Sequence, residues 1–232
     1  MSNDSLVTSL YVANNDDVKE KWFSFVEQFD KQRFMISSSH PLIQHYLNHM
    51  LKEDEPIWLD EGNIFVRARI NNLEPYQEFQ SENLHAPPND KVGHGRLNPK
   101  GIPFLYVATE EKTAVAEVRP HVSDKVGIAE CNPMQKLKIV DFTRKDSSEK
   151  INNFRKMISI LFSKPVSPHS SEKEYLPTQY LAEYIKCEGF DGVKYRSAVN
   201  PLGYNVCIFN PPLMKIKYVK TIDVQGIEVK FE

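Results

Sequence analysis

The chain has 232 residues, of which 41% are hydrophobic, and its formal net charge is −2. This length fits one domain with an accessory segment, or at most two small domains. The balanced charge argues against a protein that binds nucleic acid or anionic lipid. The longest apolar runs fall far short of the ~20 residues of a membrane helix. Because the N-terminal residues also lack the basic and apolar regions of a signal peptide, we expect a cytoplasmic protein.

The first 60 residues are predicted to form a helical accessory segment, followed by the main domain at residues 61–232. Residues 1–16 carry no periodic pattern and are expected to be loosely attached. After a cap at Asp16 or Asp17, a helix is predicted from apolar residues at helical spacing, namely Val18, Trp22, Phe25, Val26 and Phe29.

A second helix is predicted from Pro41 to Lys52, with Ser39 as its cap. His45 and His49 lie four residues apart on this helix, a spacing that zinc proteases use for two of their ligands. The third ligand and the glutamate of such a helix are missing, so a surface pair is the better interpretation. We therefore expect no metal site.

A strand is predicted from Asn63 to Ile70, with Arg67 and Arg69 on the same face. The two arginines form either an exposed edge or the wall of an anion site, and Arg69 is expected to be solvated. Residues 71–101 show no clear periodicity. A structureless stretch of this length is either functional or disordered. We expect its second half to be functional because it delivers Arg96.

Two unusual polar residues lie close together in the next part of the sequence. Arg96 lies in a loop rich in glycine and proline. Tyr106 lies inside the apolar run from Phe104 to Ala108, which predicts a short buried strand. A buried strand beside a glycine-held loop is a suitable place for a binding pocket.

A third polar residue, Glu117, is predicted on the short helix that follows this strand. Thr109 is the expected N-cap and Pro120 the expected end of the helix. Glu117 borders the buried face rather than pointing fully outward. The carboxylate, the arginine and the tyrosine are therefore predicted to belong to one pocket.

The next segment is predicted to contain two strands and a helix. The strands run from Lys125 to Cys131 and from Lys136 to Phe142, with Asn132-Pro133 as the turn between them. Asp146 and Glu149 have the spacing of a capping box. This spacing predicts that a helix begins there.

Beyond a Pro/Ser-rich loop at residues 164–174, a helix is predicted to begin at Pro177 and to end at Gly189. Ser197 stands at the end of the next strand. The remaining predicted strands complete the chain: Gly192–Arg196, Tyr204–Phe209 and two closing strands within residues 213–231 around Gln225-Gly226.

Motifs of several common site types are missing from the sequence. The three cysteines, Cys131, Cys187 and Cys207, lack metal-type spacing. Cys207 is expected to be a small core residue. Neither GxxxxGK[ST] nor GxGxxG occurs, which disfavours P-loop and Rossmann nucleotide sites.

The polar residues singled out above resemble, by their order and surroundings, the RES domain family, which is named for an Arg, a Glu and a Ser. The resemblance covers roughly residues 61 to 212. It rests on GRLNP at 95–99, GIPFLY at 101–106, TAVAEV at 113–118, GFDGVKYRS at 189–197 and NVCIF at 205–209.

The resemblance implies an α+β fold similar to ADP-ribosyltransferases, with mixed or antiparallel sheets flanked by helices after an N-terminal helical segment. It also implies an activity that breaks down NAD+ and a bacterial toxin that an antitoxin restrains. The site residues it implies are a catalytic set and a substrate-binding set: Arg96, Glu117 and Ser197, and Arg67, Tyr106 and Asn205.

The chemistry of such a site is coherent. A carboxylate such as Glu117 stabilises the oxocarbenium-like ribose that forms as nicotinamide leaves. Arg96 offers a fork of N–H donors to pyrophosphate or ribose oxygens, and Tyr106 an aromatic face to nicotinamide. Ser197 would bond a ribose hydroxyl or the carboxylate. Because NAD+ is the substrate, no cofactor and no metal are implied.

Three readings of the function follow from these residues. The first is an NAD+ glycohydrolase, with phosphate in place of water as a close variant. The second is ADP-ribosylation of a protein target. The third is a non-catalytic nucleotide-binding module, against which the intact Arg96, Glu117 and Ser197 argue. We expect the first.

Overall fold

The computed structural model describes residues 16–32, 36, 38–71, 79–164 and 172–227. Within these residues, eight strands form one sheet: β1 (Ile57–Leu59), β2 (Phe65–Ile70), β3 (Leu105–Ala108), β4 (Lys125–Pro133), β5 (Leu137–Asp141), β6 (Gly192–Arg196), β7 (Tyr204–Ile208) and β8 (Met214–Asp223). The order across the sheet is β1-β5-β6-β7-β3-β2-β4-β8. The β5–β6 pair is parallel and the other neighbours are antiparallel, so the sheet is mixed.

The helices predicted from apolar periodicity are confirmed. They are α1 (Asp16–Lys31), α2 (Asn48–Glu53), α3 (Glu111–Val118), α4 (Glu149–Ser163) and α5 (Leu176–Cys187). A π-helical turn, Ile43–Leu47, precedes α2, so that residues 41–53 are continuously helical. Within the described ranges, no helix is both long and apolar enough to cross a membrane.

The N-terminal helices share one hydrophobic core with α4, α5 and the sheet. The ring of Tyr46 lies 5.3 Å from that of Phe154 on α4, and the ring of Phe25 lies 5.6 Å from that of Tyr180 on α5. Burying one such side chain contributes about 1.5–3 kcal/mol. Helix α1 therefore supports α5.

Small residues bring α3 close to the sheet. Ala114 on α3 is buried against Ala68 of β2 and Ala108 of β3, in a cluster completed by Val126 and Ile128. Because alanine side chains are short, the helix backbone approaches the strands closely. This packing places the last turn of α3 over the middle of the sheet.

The prediction of a turn at Asn132-Pro133 is wrong. Both residues belong to β4 and pair with Lys215 and Met214 of β8. They lie beyond the last residue of β4 that pairs with β2, Cys131, so no strand of the described part pairs with their other edge. A strand tolerates proline there because its missing N–H faces no partner.

Two predicted helix caps are also wrong. Thr109 does not cap α3, since its backbone N–H and its hydroxyl both donate to the carbonyl of Tyr204, and Glu110 occupies the N-cap position. Asp146 does not cap α4. Ser148 does, and the Asp146 carboxylate accepts from the backbone N–H of Ser148 at 2.7 Å. Tertiary contacts and a local turn thus displace the expected caps.

Of the two closing strands predicted for the C-terminal part, the first is confirmed. It is a ten-residue strand, β8, that runs along β4. Gln225 and Gly226 follow it without regular structure. A second strand would fall at residues 228–232, outside the described residues, as does most of the predicted loose segment at residues 1–16.

His40 supplies a side-chain acceptor at the start of the second helical segment. Its Nδ1 accepts from the backbone N–H of Leu42 at 3.1 Å, which requires Nδ1 to be unprotonated. Burial, aided by the positive charge of Lys21, lowers the pKa of His40 below its ordinary value of 6.5.

We expect this histidine to make the fold less stable in acid. The unfolded chain takes up a proton below pH 6.5, whereas folded His40 resists it, so its contribution is complete above that pH and is lost as pH falls. The melting temperature should fall between about pH 7 and about pH 5. In the variant His40→Asn, which keeps an acceptor that does not titrate, the fall should be smaller. If the melting temperature fell equally with pH in both proteins, His40 would not be the cause of the lower stability in acid.

Candidate active site

A cavity of about 300 Å³ opens where β2, β3, β6 and β7 meet α3. Its wall contains five of the six residues predicted for the site: Arg67, Arg96, Tyr106, Glu117 and Asn205. Strands β7, β3 and β2 are adjacent in the sheet, which brings together residues far apart in the sequence. The predicted single pocket is present in the structure.

Two donors fix the carboxylate of Glu117 through one of its oxygens. Oε1 accepts from the hydroxyl of Ser197 at 2.8 Å and from Nδ2 of Asn205 at 2.6 Å. The other oxygen, Oε2, lies 3.7 Å from Nη1 of Arg96. A charge-assisted hydrogen bond would measure about 2.7–2.9 Å. The carboxylate and the guanidinium therefore face each other, and both keep hydrogen-bonding capacity for a ligand.

Ser197 lies behind the carboxylate rather than in the wall of the cavity. Its side chain is buried, and its Oγ accepts from the backbone N–H groups of Val199 and Asn200 at 3.2 and 3.1 Å. With these two acceptor bonds formed, its own proton points to Glu117. Of the two partners considered for Ser197, the structure places it on the carboxylate.

The loop after β6 is also tied to the first turn of α3. Asn200 donates through Nδ2 to Oε1 of Glu110 at 2.7 Å and to Oγ1 of Thr113 at 2.8 Å. Both ends of α3 are thus bonded to the segment that carries Ser197. This arrangement sets the distance between Glu117 and the strands that face it.

The loop that carries Arg96 is held against Tyr106. The hydroxyl of Tyr106 donates to Oδ1 of Asn98 at 2.8 Å and accepts from the backbone N–H of Leu97 at 3.2 Å. A Cβ at Gly95 would lie 2.0 Å from the same Oδ1 and 2.9 Å from the Tyr106 hydroxyl, so only glycine fits. The tyrosine has a structural function in addition to presenting its ring to the cavity.

Arg67 and Arg69 have different environments although both belong to β2. Arg67 faces the cavity, where its Nη1 donates to the carbonyl of Tyr106 at 2.7 Å and its buried Nε has no hydrogen-bond partner among the described residues. Burial lowers the pKa of Arg67. Arg69 is exposed and donates to the carbonyl of Asn83, as expected for a solvated arginine.

The phenols around Arg96 are neutral. Burial raises the pKa of Tyr106 well above its usual value of 10. Tyr195 on β6 is fully buried, and burial likewise raises its pKa although Arg96 donates a hydrogen bond to its hydroxyl. Both tyrosines therefore remain protonated over the physiological range and act as hydrogen-bonding groups.

A family model for the RES domain matches residues 68–229. The chain belongs to the RES domain family. Among solved structures, the crystal structure of the M. tuberculosis MbcT–MbcA toxin–antitoxin complex is similar at 12% identity, over 72% of this chain and 87% of that chain, with a TM-score of 0.41. A comparison with curated proteins found no match.

The fold class expected from the sequence is confirmed. The RES domain match and the eight-stranded mixed sheet with its helices establish an α+β, ADP-ribosyltransferase-like fold. The match begins within β2 and so includes most of the strands that form the cavity.

The sequence interpretation missed several residues of this RES domain site. Tyr195 and Tyr175 line the cavity, and Thr178 and Gln179 bond the loop that carries Arg96. Tyr195 lies in the quoted GFDGVKYRS motif, so the motif itself was a usable signal. Thr178 and Gln179 lie about eighty positions from the loop, and no local pattern connects them with it.

Metal ligands are scarce around the cavity. Among the described residues that line it, Glu117 is the one carboxylate, and these described residues include no group of three or more His, Cys, Asp or Glu side chains placed to hold a metal ion. His45 and His49 are both exposed, in agreement with a surface pair. The cavity offers charge, hydrogen bonds and aromatic rings to an organic ligand.

Proposed function

We propose that this RES domain protein cleaves the bond between nicotinamide and ribose in NAD+. The observation that carries the proposal is the carboxylate of Glu117, which Ser197 and Asn205 fix through one oxygen while the other faces the cavity. A carboxylate oriented in advance stabilises positive charge that develops on the ribose without reorganising during the reaction.

The charges of the cavity suit this substrate. Its wall carries two guanidinium groups, Arg67 and Arg96, and one carboxylate, Glu117. NAD+ has a negative pyrophosphate and a positive nicotinamide ring, so the arginines would hold the former while the carboxylate faces the sugar next to the latter. A volume of about 300 Å³ is at the lower end for ligand pockets. It suits the nicotinamide riboside half, with the adenosine half outside.

The proposed reaction breaks the bond between ribose C1′ and the nicotinamide nitrogen. The electron pair of this bond goes to the nitrogen, which loses its positive charge as neutral nicotinamide leaves. An oxygen of water or of phosphate then forms a bond to C1′, and with water one proton is released. Glu117 would stabilise the cationic sugar between the two events. NAD+ is thus a substrate, and the mechanism uses no cofactor.

A cell that makes such an enzyme needs to restrain it. Consumption of NAD+ without a useful product harms the host, which is the logic of a toxin with an antitoxin. We therefore propose that a second protein blocks the cavity, and that the enzyme acts in the cytoplasm, where NAD+ is present.

The function is tested on the purified protein with NAD+, with and without phosphate, and the products are identified by mass. We expect nicotinamide in both cases, with ADP-ribose or ADP-ribose 1″-phosphate as the second product according to the acceptor. A protein that gains the mass of ADP-ribose would instead select modification of a protein target. Unchanged NAD+ would favour the remaining hypothesis, a non-catalytic nucleotide-binding module.

The toxin reading predicts effects in the cell. Expression of the chain alone in bacteria should arrest growth and lower cellular NAD+, and the variant Glu117→Gln should do neither. Normal growth with unchanged NAD+, despite good expression of the wild-type chain, would count against a toxin.

A further inference from the structure

Gln179 on α5 spans the loop that carries Arg96. Its side chain is 4% exposed, and its Nε2 donates to the carbonyl of Gly95 at 2.8 Å and to that of Asn98 at 3.0 Å. These two carbonyls flank Arg96 and Leu97. One amide group therefore uses both of its N–H bonds to close the two ends of a four-residue loop.

The same side of α5 makes one further bond to the loop. Thr178, the residue before Gln179, donates through Oγ1 to the carbonyl of Arg96 at 2.6 Å. Three of the four carbonyls from Gly95 to Asn98 thus accept from α5. The backbone of the loop is fixed from one helix, while the side chain of Arg96 points into the cavity.

From this geometry we infer that Gln179 is a positioning residue for Arg96. It has no place in the wall of the cavity, so it acts through the loop and touches no substrate. The inference rests on the function proposed above, since it concerns the placing of a guanidinium for NAD+. A displacement of about 1 Å in a positioning element can cost on the order of 10²-fold in rate.

Helix α5 is rigid enough for this role because the N-terminal helices support its other side. Tyr180, next to Gln179, packs on Phe25 and Phe29 of α1, with ring centroids 5.6 and 6.0 Å apart. Gln179 can hold the loop only if its helix is rigid, and this ring packing provides the rigidity. Tyr184, further along α5, donates to Oδ1 of Asn48 on α2 at 2.9 Å and makes no bond to the loop.

The test is the variant Gln179→Met, which keeps an unbranched side chain of similar length and removes both donors. We expect kcat/KM for NAD+ to fall by on the order of 10²-fold. The matched control is Tyr184→Phe, which removes one hydrogen bond from the same helix but none from the loop, and which should keep wild-type kcat/KM. Wild-type kcat/KM in folded Gln179→Met would overturn the inference.

A double-mutant cycle separates positioning from a general structural effect. In an Arg96→Ala background, Gln179→Met should cause no further loss, because the group that it positions is gone. An equal fold-loss in both backgrounds would show that Gln179 does not act through Arg96.

Amide hydrogen exchange tests whether Gln179 holds the loop, independently of the reaction. The amide of Gly95 is bonded within the loop, to the carbonyl of Asn98, and that of Leu97 is bonded to the Tyr106 hydroxyl on β3, so both should be protected. Gln179→Met should lower this protection and Tyr184→Phe should not. If the wild-type protein leaves NAD+ unchanged, the proposed function fails while this measurement still decides the inference, and unchanged protection would refute it.

Discussion

Replacing Glu117 with glutamine is expected to lower turnover of NAD+ by on the order of 10²–10³-fold while leaving the protein folded. Glutamine keeps an oxygen that can accept from Ser197 and Asn205 as Oε1 does now. The variant loses the negative charge that faces Arg96 and that, in the proposed reaction, would stabilise the sugar. Since shape and hydrogen bonds are retained, the loss would report the charge itself.

The control for this variant is Glu111→Gln on the same helix. Glu111 is exposed and pairs with Lys220 at 2.9 Å, away from the cavity. Surface ion pairs contribute little, so Glu111→Gln should match the wild type in both stability and turnover. Single-turnover rates and melting temperatures of the three proteins provide the comparison. Near-native turnover of folded Glu117→Gln would remove Glu117 from the mechanism.

The sequence predicted the structure correctly where a residue type has a single, local structural function. The apolar stripes of α1, α4 and α5 correctly predict helices because each stripe is buried in a common core. Gly189, predicted to end α5, has a φ of +82°, which glycine adopts without strain. The cavity residues could be predicted because their motifs resembled those of a known family.

The sequence was less informative where distant segments compete with local rules. Thr109 has the composition of an N-cap, but the antiparallel pairing of β3 with β7 continues into it and uses its N–H. Asn132-Pro133 has the composition of a turn, but β8 extends β4 through it. In both cases a strand neighbour that comes later in the chain decides the outcome.

The role of each site residue is another property that no local sequence pattern indicates. Tyr106 was expected to present its ring, yet its hydroxyl also holds the Arg96 loop. Ser197 was assigned to either substrate or carboxylate, and its surroundings direct its proton to Glu117. Residue type sets what a group can do, whereas the tertiary neighbours decide which of its bonds remain for a ligand.

Replacing Arg96 with lysine is expected to lower kcat/KM for NAD+ by roughly 10–10²-fold, because hydrogen bonds to charged groups contribute about 1.5–3 kcal/mol each. The guanidinium of Arg96 donates a hydrogen bond to Tyr195, and its Nη1 lies 3.7 Å from Oε2 of Glu117. A lysine ammonium is a point charge and lacks the planar fork that serves both partners and a pyrophosphate together.

The matched control for this variant is Arg69→Lys. Arg69 is exposed on β2 and bonds a single carbonyl, that of Asn83, so a lysine can replace it with little effect. Measuring kcat and KM separately assigns the role of Arg96. A higher KM with unchanged kcat would indicate that the guanidinium binds substrate and transition state equally, whereas an equal fall in kcat and kcat/KM would indicate transition-state stabilisation alone. Unchanged kinetics would make Arg96 a structural residue of its loop and move the anion-binding role to Arg67, the other guanidinium of the cavity.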